Sequence, residues 1–132
     1  MMRESPALTV DAVIVEGGEV VLIKRRNPPF QGRWAIPGGF VEYGERVEDA
    51  VVREAREETG LEIKIDKLIG VYSDPERDPR GHTVSIVFLC KAVGGQMKAG
   101  SDAMDVEKFN LNELPKLAFD HRLILEDVKG RI

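Results

Sequence analysis

The sequence predicts an α/β fold in which a mixed sheet is sandwiched between helices, an α/β/α arrangement. Runs rich in β-branched residues precede and follow one long helical run, and a second helical run closes the chain. The 132 residues suffice for one domain with a real core and not for two, so we expect a single domain over residues 1–132.

The first elements predicted are a β-hairpin, a loop and a short strand. Two apolar runs flank a Gly-Gly turn, and a loop with two prolines and a glycine interrupts the chain before the only tryptophan. These segments are Ala7–Val15, Val20–Lys24, Asn27–Arg33 and Trp34–Pro37, with Phe40–Glu42 continuing the short strand. One of Arg25 or Arg26, at the end of the hairpin, is predicted to reach a phosphate, and the sequence does not say which.

The central prediction is a helix over Val47–Thr59, a run that contains neither Gly nor Pro and ends at Gly60. On a helical wheel its apolar residues share one face, while Arg53 and Arg56 point the other way. Three carboxylates, however, lie within that buried face or at its edge, and they belong to Glu54, Glu57 and Glu58.

Carboxylates on a face that packs against the core are costly without a partner, and several together repel one another. Glu54 precedes Glu57 and Glu58 by three and four residues, so their oxygens can converge on one point. Hard oxygen ligands suit Mg²⁺, with Mn²⁺ as the alternative ion. The pattern therefore indicates a divalent cation site, and the competing interpretation is a salt-bridged helix with Arg53 and Arg56 as partners.

The second half predicts three strands, a polar loop, a linker, a turn and a closing helix. The strands are Leu61–Tyr72 with an irregularity near Lys67, Thr83–Ala92 and Met104–Asn110; the loop is Ser73–His82, the mobile-looking linker Gln96–Asp102, the short helical turn Asn112–Pro115 and the helix Arg122–Val128. Asp120 is predicted to cap that helix, and His121 to be a helix-start residue rather than a catalyst.

Composition sets limits on function. The net charge of -4 argues against a surface that binds nucleic acid and gives no reason to expect membrane binding. No apolar run is long enough to span a membrane and the N-terminus lacks the apolar region of a signal peptide, so we expect a cytoplasmic protein. The lone Cys90, in an apolar run, is predicted to be a buried structural thiol.

Gly39, Glu45 and the run Arg53–Leu61 (REAREETGL) resemble the Nudix box, and every defined position of that motif matches. The resemblance extends to the whole layout, from about Ala7 to Val128. It implies a Nudix-like sandwich with a catalytic loop–helix–loop. It also implies a Mg²⁺-dependent hydrolase that cleaves the pyrophosphate of a nucleoside diphosphate linked to another group.

The resemblance also implies site roles. Glu54, Glu57 and Glu58 would bind metal together with a backbone carbonyl at Gly38 or Gly39, and Glu42 would be an outer ligand. Arg53 would hold Glu57 or Glu45 in place without touching metal. Glu57 and Glu58 are candidate general bases, but family members often recruit a later acidic residue; the candidates here are Asp102, Asp105 and Glu107, of which we select Asp105.

The Ser73–His82 loop resembles the corresponding segment of Nudix ADP-ribose pyrophosphatases and of ADP-ribose-responsive Nudix regulators. Arg77 or Arg80 would then contact the terminal ribose or a phosphate, and Asp78 would accept hydrogen bonds from ribose hydroxyls. The competing interpretation is a charged, solvent-facing hairpin tip. Lys108 departs from the subgroup, in which we expect an aromatic residue for base stacking.

The preferred hypothesis is a Mg²⁺-dependent ADP-ribose pyrophosphatase that yields AMP and ribose 5-phosphate. The alternatives are a nucleotide-sanitising triphosphatase, acting for instance on oxidised dGTP, and a non-catalytic ADP-ribose-binding module. By resemblance to many relatives we expect a homodimer, and Val52, an apolar residue off the buried arc, is one position that would need cover.

Overall fold

A computed structural model describes residues 4–132, which form seven strands and two helices. In chain order these are β1 (Ala7–Glu16), β2 (Glu19–Arg25), β3 (Trp34–Ala35), β4 (Gly38–Phe40), α1 (Val47–Thr59), β5 (Leu61–Tyr72), β6 (Thr83–Gly95), β7 (Ala103–Asn110) and α2 (His121–Lys129). The predicted main helix has the predicted bounds, and Gly60 ends it with φ 77°, a left-handed conformation that favours glycine.

The sheet is mixed, as predicted, because β1 runs parallel to β6 and antiparallel to β2 and β4. The strand order is β3-β2-β1-β6-β5, with β7 paired to β2. The two ends of β1 have different antiparallel partners: Val10 and Asp11 pair with Gly39 and Gly38, whereas Val15 pairs with Val20. The short β4 is thereby held against the start of β1, next to α1.

Two apolar clusters lie on opposite faces of the sheet because successive strand residues point to opposite sides. Ala12 and Ile14 pack on the α1 side with Ala50, Val51 and Ala55. Val13, Val87 and Leu89 pack on the α2 side with Ile124, Leu125 and Val128. A sheet covered by a helix on each face confirms the predicted α/β/α sandwich.

Several local predictions need correction. β4 ends at Phe40, so the strand does not continue to Glu42. The hydrogen-bonded turn after β7 spans Asn110–Glu113, so Asn112–Pro115 is not a helical turn. Asp120 precedes α2 without a capping hydrogen bond from its side chain, because its carboxylate accepts from Arg77. Val52 is half-buried and packs on the core, so it does not need a partner subunit to cover it.

The linker Gln96–Asp102 is docked rather than free. Lys98 N–H donates to Thr59 O over 2.8 Å, and Gly100 N–H donates to Glu58 O over 3.1 Å. These bonds satisfy carbonyls at the C-terminal end of α1, which have no partner within the helix. The docking brings the linker's last residue, Asp102, close to the carboxylates of α1.

Cys90 is buried, as predicted, and burial raises the pKa of its thiol to about 12. The thiol is therefore protonated and unreactive at neutral pH. Within the described residues, neither helix has the length and apolar character that crossing a membrane requires.

Candidate active site

A cavity of about 530 Å³ opens between β1, β4, α1 and the loops that precede β6 and α2. Its lining carries charges of both signs. Four carboxylates, here called the acidic wall, belong to Glu54, Glu57, Glu58 and Asp102, and three guanidiniums, here called the basic wall, belong to Arg25, Arg77 and Arg80. A cavity lined by both carboxylates and guanidiniums suits an anionic ligand that is bound together with a cation.

Gly38 and Gly39 allow the backbone to lie directly against side chains of this cavity. A Cβ atom on Gly39 would lie 2.5 Å from the Glu54 carboxyl carbon, and one on Gly38 would collide with Val10 O and the Asp11 carboxylate. Real Cβ atoms do not approach other atoms so closely, so any other residue here would displace Glu54 or β4. The glycine pair therefore lets the β4 backbone approach the α1 carboxylates closely, and the N–H of Gly38 donates a hydrogen bond to Glu58.

Arg53 folds back over the acidic wall, so the helical-wheel prediction that it points away is wrong. Its Nε and Nη2 atoms donate to both oxygens of Glu45, at 2.7 and 2.9 Å. Its Nη1 donates to Glu54 at 2.7 Å and to Glu57 at 3.2 Å. The length of the arginine side chain allows this, because the guanidinium can reach past the direction that its Cα sets. Arg53 holds the pKa of Glu45 down at about 2.

Glu58 forms no ion pair with an arginine among the described residues, although its charge and that of Arg25 interact. Burial, followed by the charges of Glu54, Asp102 and Asp11, raises the pKa of Glu58 to about 8, and a backbone hydrogen bond from Gly38 opposes this only in part. Burial also raises the pKa of Glu54, although Arg53 opposes it. The acidic wall thus has more negative charge than Arg53 neutralises.

This donor set fits a hard divalent cation. Glu54, Glu57, Glu58 and the backbone at Gly39 offer only oxygen, the ligand that Mg²⁺ and Mn²⁺ prefer. Across residues 4–132 no three His, Cys, Asp or Glu side chains already converge as a metal centre. Glu54 and Glu57 instead accept hydrogen bonds from Arg53. The Glu57 side chain is 55% exposed and therefore free to turn towards an ion.

The three later acidic residues that are candidates for the general base lie in different places. Asp102 lines the cavity, whereas Asp105 does not: one of its oxygens accepts from the N–H of Val106, over 2.8 Å. Glu107 lies further along β7, where it pairs with Leu22, and also lies outside the cavity. The structure therefore does not bring Asp105 to the site and brings Asp102 in its place.

Of the two candidates at the end of β2, only Arg25 faces the cavity. Its Nε donates to Pro29 O over 2.7 Å, and its guanidinium lies 5.0 Å from the centroid of the Phe119 ring. Arg26 instead donates to Ala103 O over 3.2 Å, beside β7. Burial, and then the charge of Arg80, lowers the pKa of Arg25. An anion between these two arginines would relieve that repulsion.

Most of the Ser73–His82 loop is exposed to solvent, but three of its residues, Arg77, Asp78 and Arg80, line the cavity. Arg77, with a side chain only 5% exposed, donates to both oxygens of Asp120 at 2.9 and 2.8 Å and to Thr83 Oγ1 at 2.6 Å. Asp78 is buried, and both its oxygens accept hydrogen bonds from Arg80. Arg77 and Asp78 are thus engaged within the protein.

The Arg80 side chain is half-exposed, whereas those of Arg77 and Asp78 are buried. Its guanidinium carbon lies 5.6 Å from the centroid of the Phe119 ring and 5.8 Å from that of Phe40, both of which line the cavity. Lys108, the position at which the subgroup is expected to have an aromatic residue, lies elsewhere, in a second cavity beside Met97 and Leu61. The departure at residue 108 therefore lies outside the cavity described here.

Sequence reasoning missed Asp11 and Phe119 as cavity residues and assigned His121 only to the start of a helix. All three line the cavity. Asp11 carried a signal, since a carboxylate within the apolar β1 is unusual. Phe119 carried none, because its positive φ of 51° follows from the tertiary path of the chain. Positive φ at a bulky residue is uncommon and recurs at functional sites.

Comparison with known proteins agrees with this geometry. The NUDIX domain family model matches residues 5–128. An ADP-ribose pyrophosphatase of Methanocaldococcus jannaschii is 59% identical over 92% of this chain and 72% of its own length. The NUDIX domain of Shewanella oneidensis NrtR, solved in complex with ADP ribose, superposes with a TM-score of 0.85 at 28% identity, over 98% of this chain and 90% of that one.

A third similar protein is a bifunctional NMN adenylyltransferase/ADP ribose pyrophosphatase of Francisella tularensis, solved with AMP and a Mn ion. It superposes with a TM-score of 0.83 at 27% identity, over 98% of this chain and 42% of that one. The chain thus corresponds to less than half of that larger protein.

Proposed function

The chain belongs to the NUDIX family, and on that premise we propose that it hydrolyses the pyrophosphate bond of ADP-ribose to AMP and ribose 5-phosphate with the help of a divalent cation. The observation that carries this proposal is the cavity with one acidic and one basic wall. The cavity suits a pyrophosphate held between a cation and guanidiniums. The similarity to the archaeal ADP-ribose pyrophosphatase supports ADP-ribose as the substrate.

The cation would be held by Glu54, Glu57 and Glu58 with the backbone carbonyl of Gly39, and we propose Mg²⁺, with Mn²⁺ as the alternative. When bound, the cation supplies charge neutralisation on the phosphoryl oxygens and lowers the pKa of a water molecule. The Mn ion in the Francisella structure supports a divalent cation here.

Arg53 acts as a positioning residue. By binding Glu45 through two nitrogens it anchors the loop before α1, and its remaining nitrogen presents Glu54 and Glu57 to the cavity. Only the planar, branched guanidinium makes these contacts at once, so lysine is not an equivalent replacement.

Asp102 replaces Asp105 as the proposed general base. It accepts a proton from the attacking water; the water oxygen bonds to phosphorus while the bridging P–O bond breaks, and the bridging electron pair leaves on the other phosphate. Asp102 lines the cavity and has no guanidinium partner among the described residues, so its oxygens are available to that water.

The basic wall would hold the substrate. We assign the direct contacts with phosphate or ribose to Arg25 and Arg80, which face the cavity, rather than to Arg26. Arg77 and Asp78 would keep the loop and Arg80 in position, since their hydrogen bonds are already made within the protein.

We further propose a cytoplasmic homodimer that does not bind nucleic acid. Half-exposed apolar side chains at Leu68, Val71 and Val93 on the β5–β6 hairpin support a subunit interface. Light scattering coupled to size exclusion that shows a monomer at micromolar concentration would refute the dimer.

Product analysis tests the proposed activity. The protein is incubated with Mg²⁺ and, separately, with ADP-ribose, oxidised dGTP, a dinucleoside polyphosphate and NADH. We expect AMP to form fastest from ADP-ribose, and Glu57→Gln to lose most of the turnover while Glu48→Gln, an exposed position on the same helix, retains it. Faster release of pyrophosphate from oxidised dGTP would favour a sanitising triphosphatase, and tight ADP-ribose binding without turnover would favour a binding module.

A further inference from the structure

His121 is a buried hydrogen-bonding residue on the floor of the cavity, only 4% exposed. Its Nδ1 accepts a hydrogen bond of 3.0 Å from the backbone N–H of Ile36. Because a backbone N–H can only donate, Nδ1 carries no proton and the ring proton is on Nε2. Burial lowers the pKa of His121, which keeps the ring neutral at physiological pH.

The Nε2–H group of His121 is presented to the cavity. None of the hydrogen bonds among the described residues uses Nε2, yet no fully buried side-chain nitrogen or oxygen in residues 4–132 lacks a partner. Nε2 must therefore be accessible, and the cavity is the space that the ring lines. A buried side-chain donor normally has an acceptor, and because the described part of the protein supplies none for Nε2–H, a bound ligand can take that place.

Asp11 supplies an acceptor beside this donor. It is 7% exposed, and its Oδ2 accepts from Ser85 Oγ, which leaves Oδ1 for a ligand. Burial raises the pKa of Asp11, and His121 lies close enough to oppose that rise. A fixed donor next to a fixed acceptor matches a hydroxyl group, which accepts one hydrogen bond and donates another.

The position of Asp11 and His121 indicates which hydroxyl of the ligand they would bind. Asp11 Oδ1 lies against Gly38, and the next residue, Gly39, lies against Glu54 on the acidic wall. A group bound by Asp11 is therefore adjacent to the pyrophosphate. In a nucleoside diphosphate derivative that group is a ribose, because the base is separated from the phosphates by the sugar.

We propose that His121 Nε2–H and the Asp11 carboxylate bind a hydroxyl of the ribose next to the scissile pyrophosphate, which makes them specificity-determining residues for ribose over 2-deoxyribose. This inference rests on the proposed function. Sites built to hydrogen-bond a substrate hydroxyl discriminate strongly against analogues without it, since buried polar groups are then left unpaired. A deoxynucleotide would be a poor substrate for such a site.

Two substitutions separate a ligand contact from a purely structural role. In His121→Asn, the amide oxygen can occupy the place of Nδ1 and keep the bond from Ile36, but the cavity donor is lost. In His121→Gln, the longer side chain places an amide N–H near the position of Nε2 but loses the bond from Ile36. The assays are kcat/KM with Mg²⁺ and, by calorimetry in EDTA, affinity for ADP-ribose and for its deoxyribose analogues at either sugar.

We expect His121→Asn to lower kcat/KM and affinity for ADP-ribose about 10-fold, and His121→Gln to stay within about 3-fold of wild type, because one buried donor contributes roughly that much. On the analogue that lacks the bound hydroxyl, His121→Asn and wild type should be equal. Asp11→Asn, which retains an oxygen for Ser85, should show the same loss of discrimination.

The opposite pattern, a normal Asn variant and a defective Gln variant, would make His121 purely structural and overturn the inference. A loss in His121→Asn that persists on both deoxy analogues would also overturn it, in favour of contact with the base. If the proposed function itself is wrong, wild type will not turn over ADP-ribose, and this result separates that failure from failure of the present inference. Calorimetry with ADP and 2′-deoxy-ADP would in that case test the sugar contact, and equal affinities would refute it.

Discussion

The raised pKa of Glu58 predicts that the protein without metal loses stability as pH rises and that Glu58→Gln removes this loss. The Glu58 carboxyl titrates near 4.5 in an unfolded chain and at about 8 in the folded protein. Folding therefore takes up a proton between these values, so the group is neutral and harmless below pH 4.5 and destabilising as pH rises towards 8.

The magnitude follows from the same numbers. A rise from 4.5 to about 8 corresponds, at about 1.4 kcal/mol per pH unit, to about 5 kcal/mol once the group is fully ionised. Most of this loss of stability occurs between pH 5 and pH 8. Relaxation of the neighbouring Glu54 reduces it, so we expect about 2–4 kcal/mol over that interval.

The assay is urea unfolding of wild type and Glu58→Gln in EDTA at pH 5, 6, 7 and 8, with Glu48→Gln as an exposed control on the same helix. The free energy of unfolding of Glu58→Gln should exceed that of wild type by an amount that grows by about 2–4 kcal/mol from pH 5 to pH 8. At saturating Mg²⁺, the free energy of unfolding of wild type should depend less on pH. That of Glu58→Gln should keep the same pH dependence as in EDTA. A difference between the two proteins that is constant with pH would refute this account of the acidic wall.

Three further predictions concern the reaction itself. Arg53→Lys should retain the fold by circular dichroism yet lose about 10–100-fold in kcat, because one ammonium cannot hold three carboxylates in place. Asp102→Asn should lose about 10²–10⁴-fold in kcat while Asp105→Asn stays near wild type; equal effects in steady-state assays would remove Asp102 as the base. Gly39→Ala should raise the Mg²⁺ concentration for half-maximal activity at least about 10-fold, since its methyl group would displace Glu54; an unchanged Mg²⁺ titration would contradict this.

The fold class and the acidic helix could be predicted from the sequence because both depend on local periodicity. Alternating apolar residues placed the long strands, and the run Val47–Thr59 between Gly44 and Gly60 set the bounds of α1. The grouping of Glu54, Glu57 and Glu58 follows from the repeat of an α-helix, which a spacing of three and four residues already expresses.

The tertiary structure decided where the long and loop-borne side chains point. Arg53 reaches back to Glu45, and Arg77 is held by Asp120. The Gln96–Asp102 linker docks on α1, and Asp102 rather than Asp105 lines the cavity. None of these contacts is implied by local spacing, since each depends on the path of a loop or the conformation of a flexible side chain.

The floor of the cavity shows the same division most clearly. Asp11 on β1, Ser85 on β6 and His121 at the start of α2 are far apart in the chain and meet only because β1 and β6 pair in parallel and α2 packs beneath them. The pattern of a sequence expresses contacts within a few residues, whereas a pocket assembled from three distant segments is determined by how the whole chain packs.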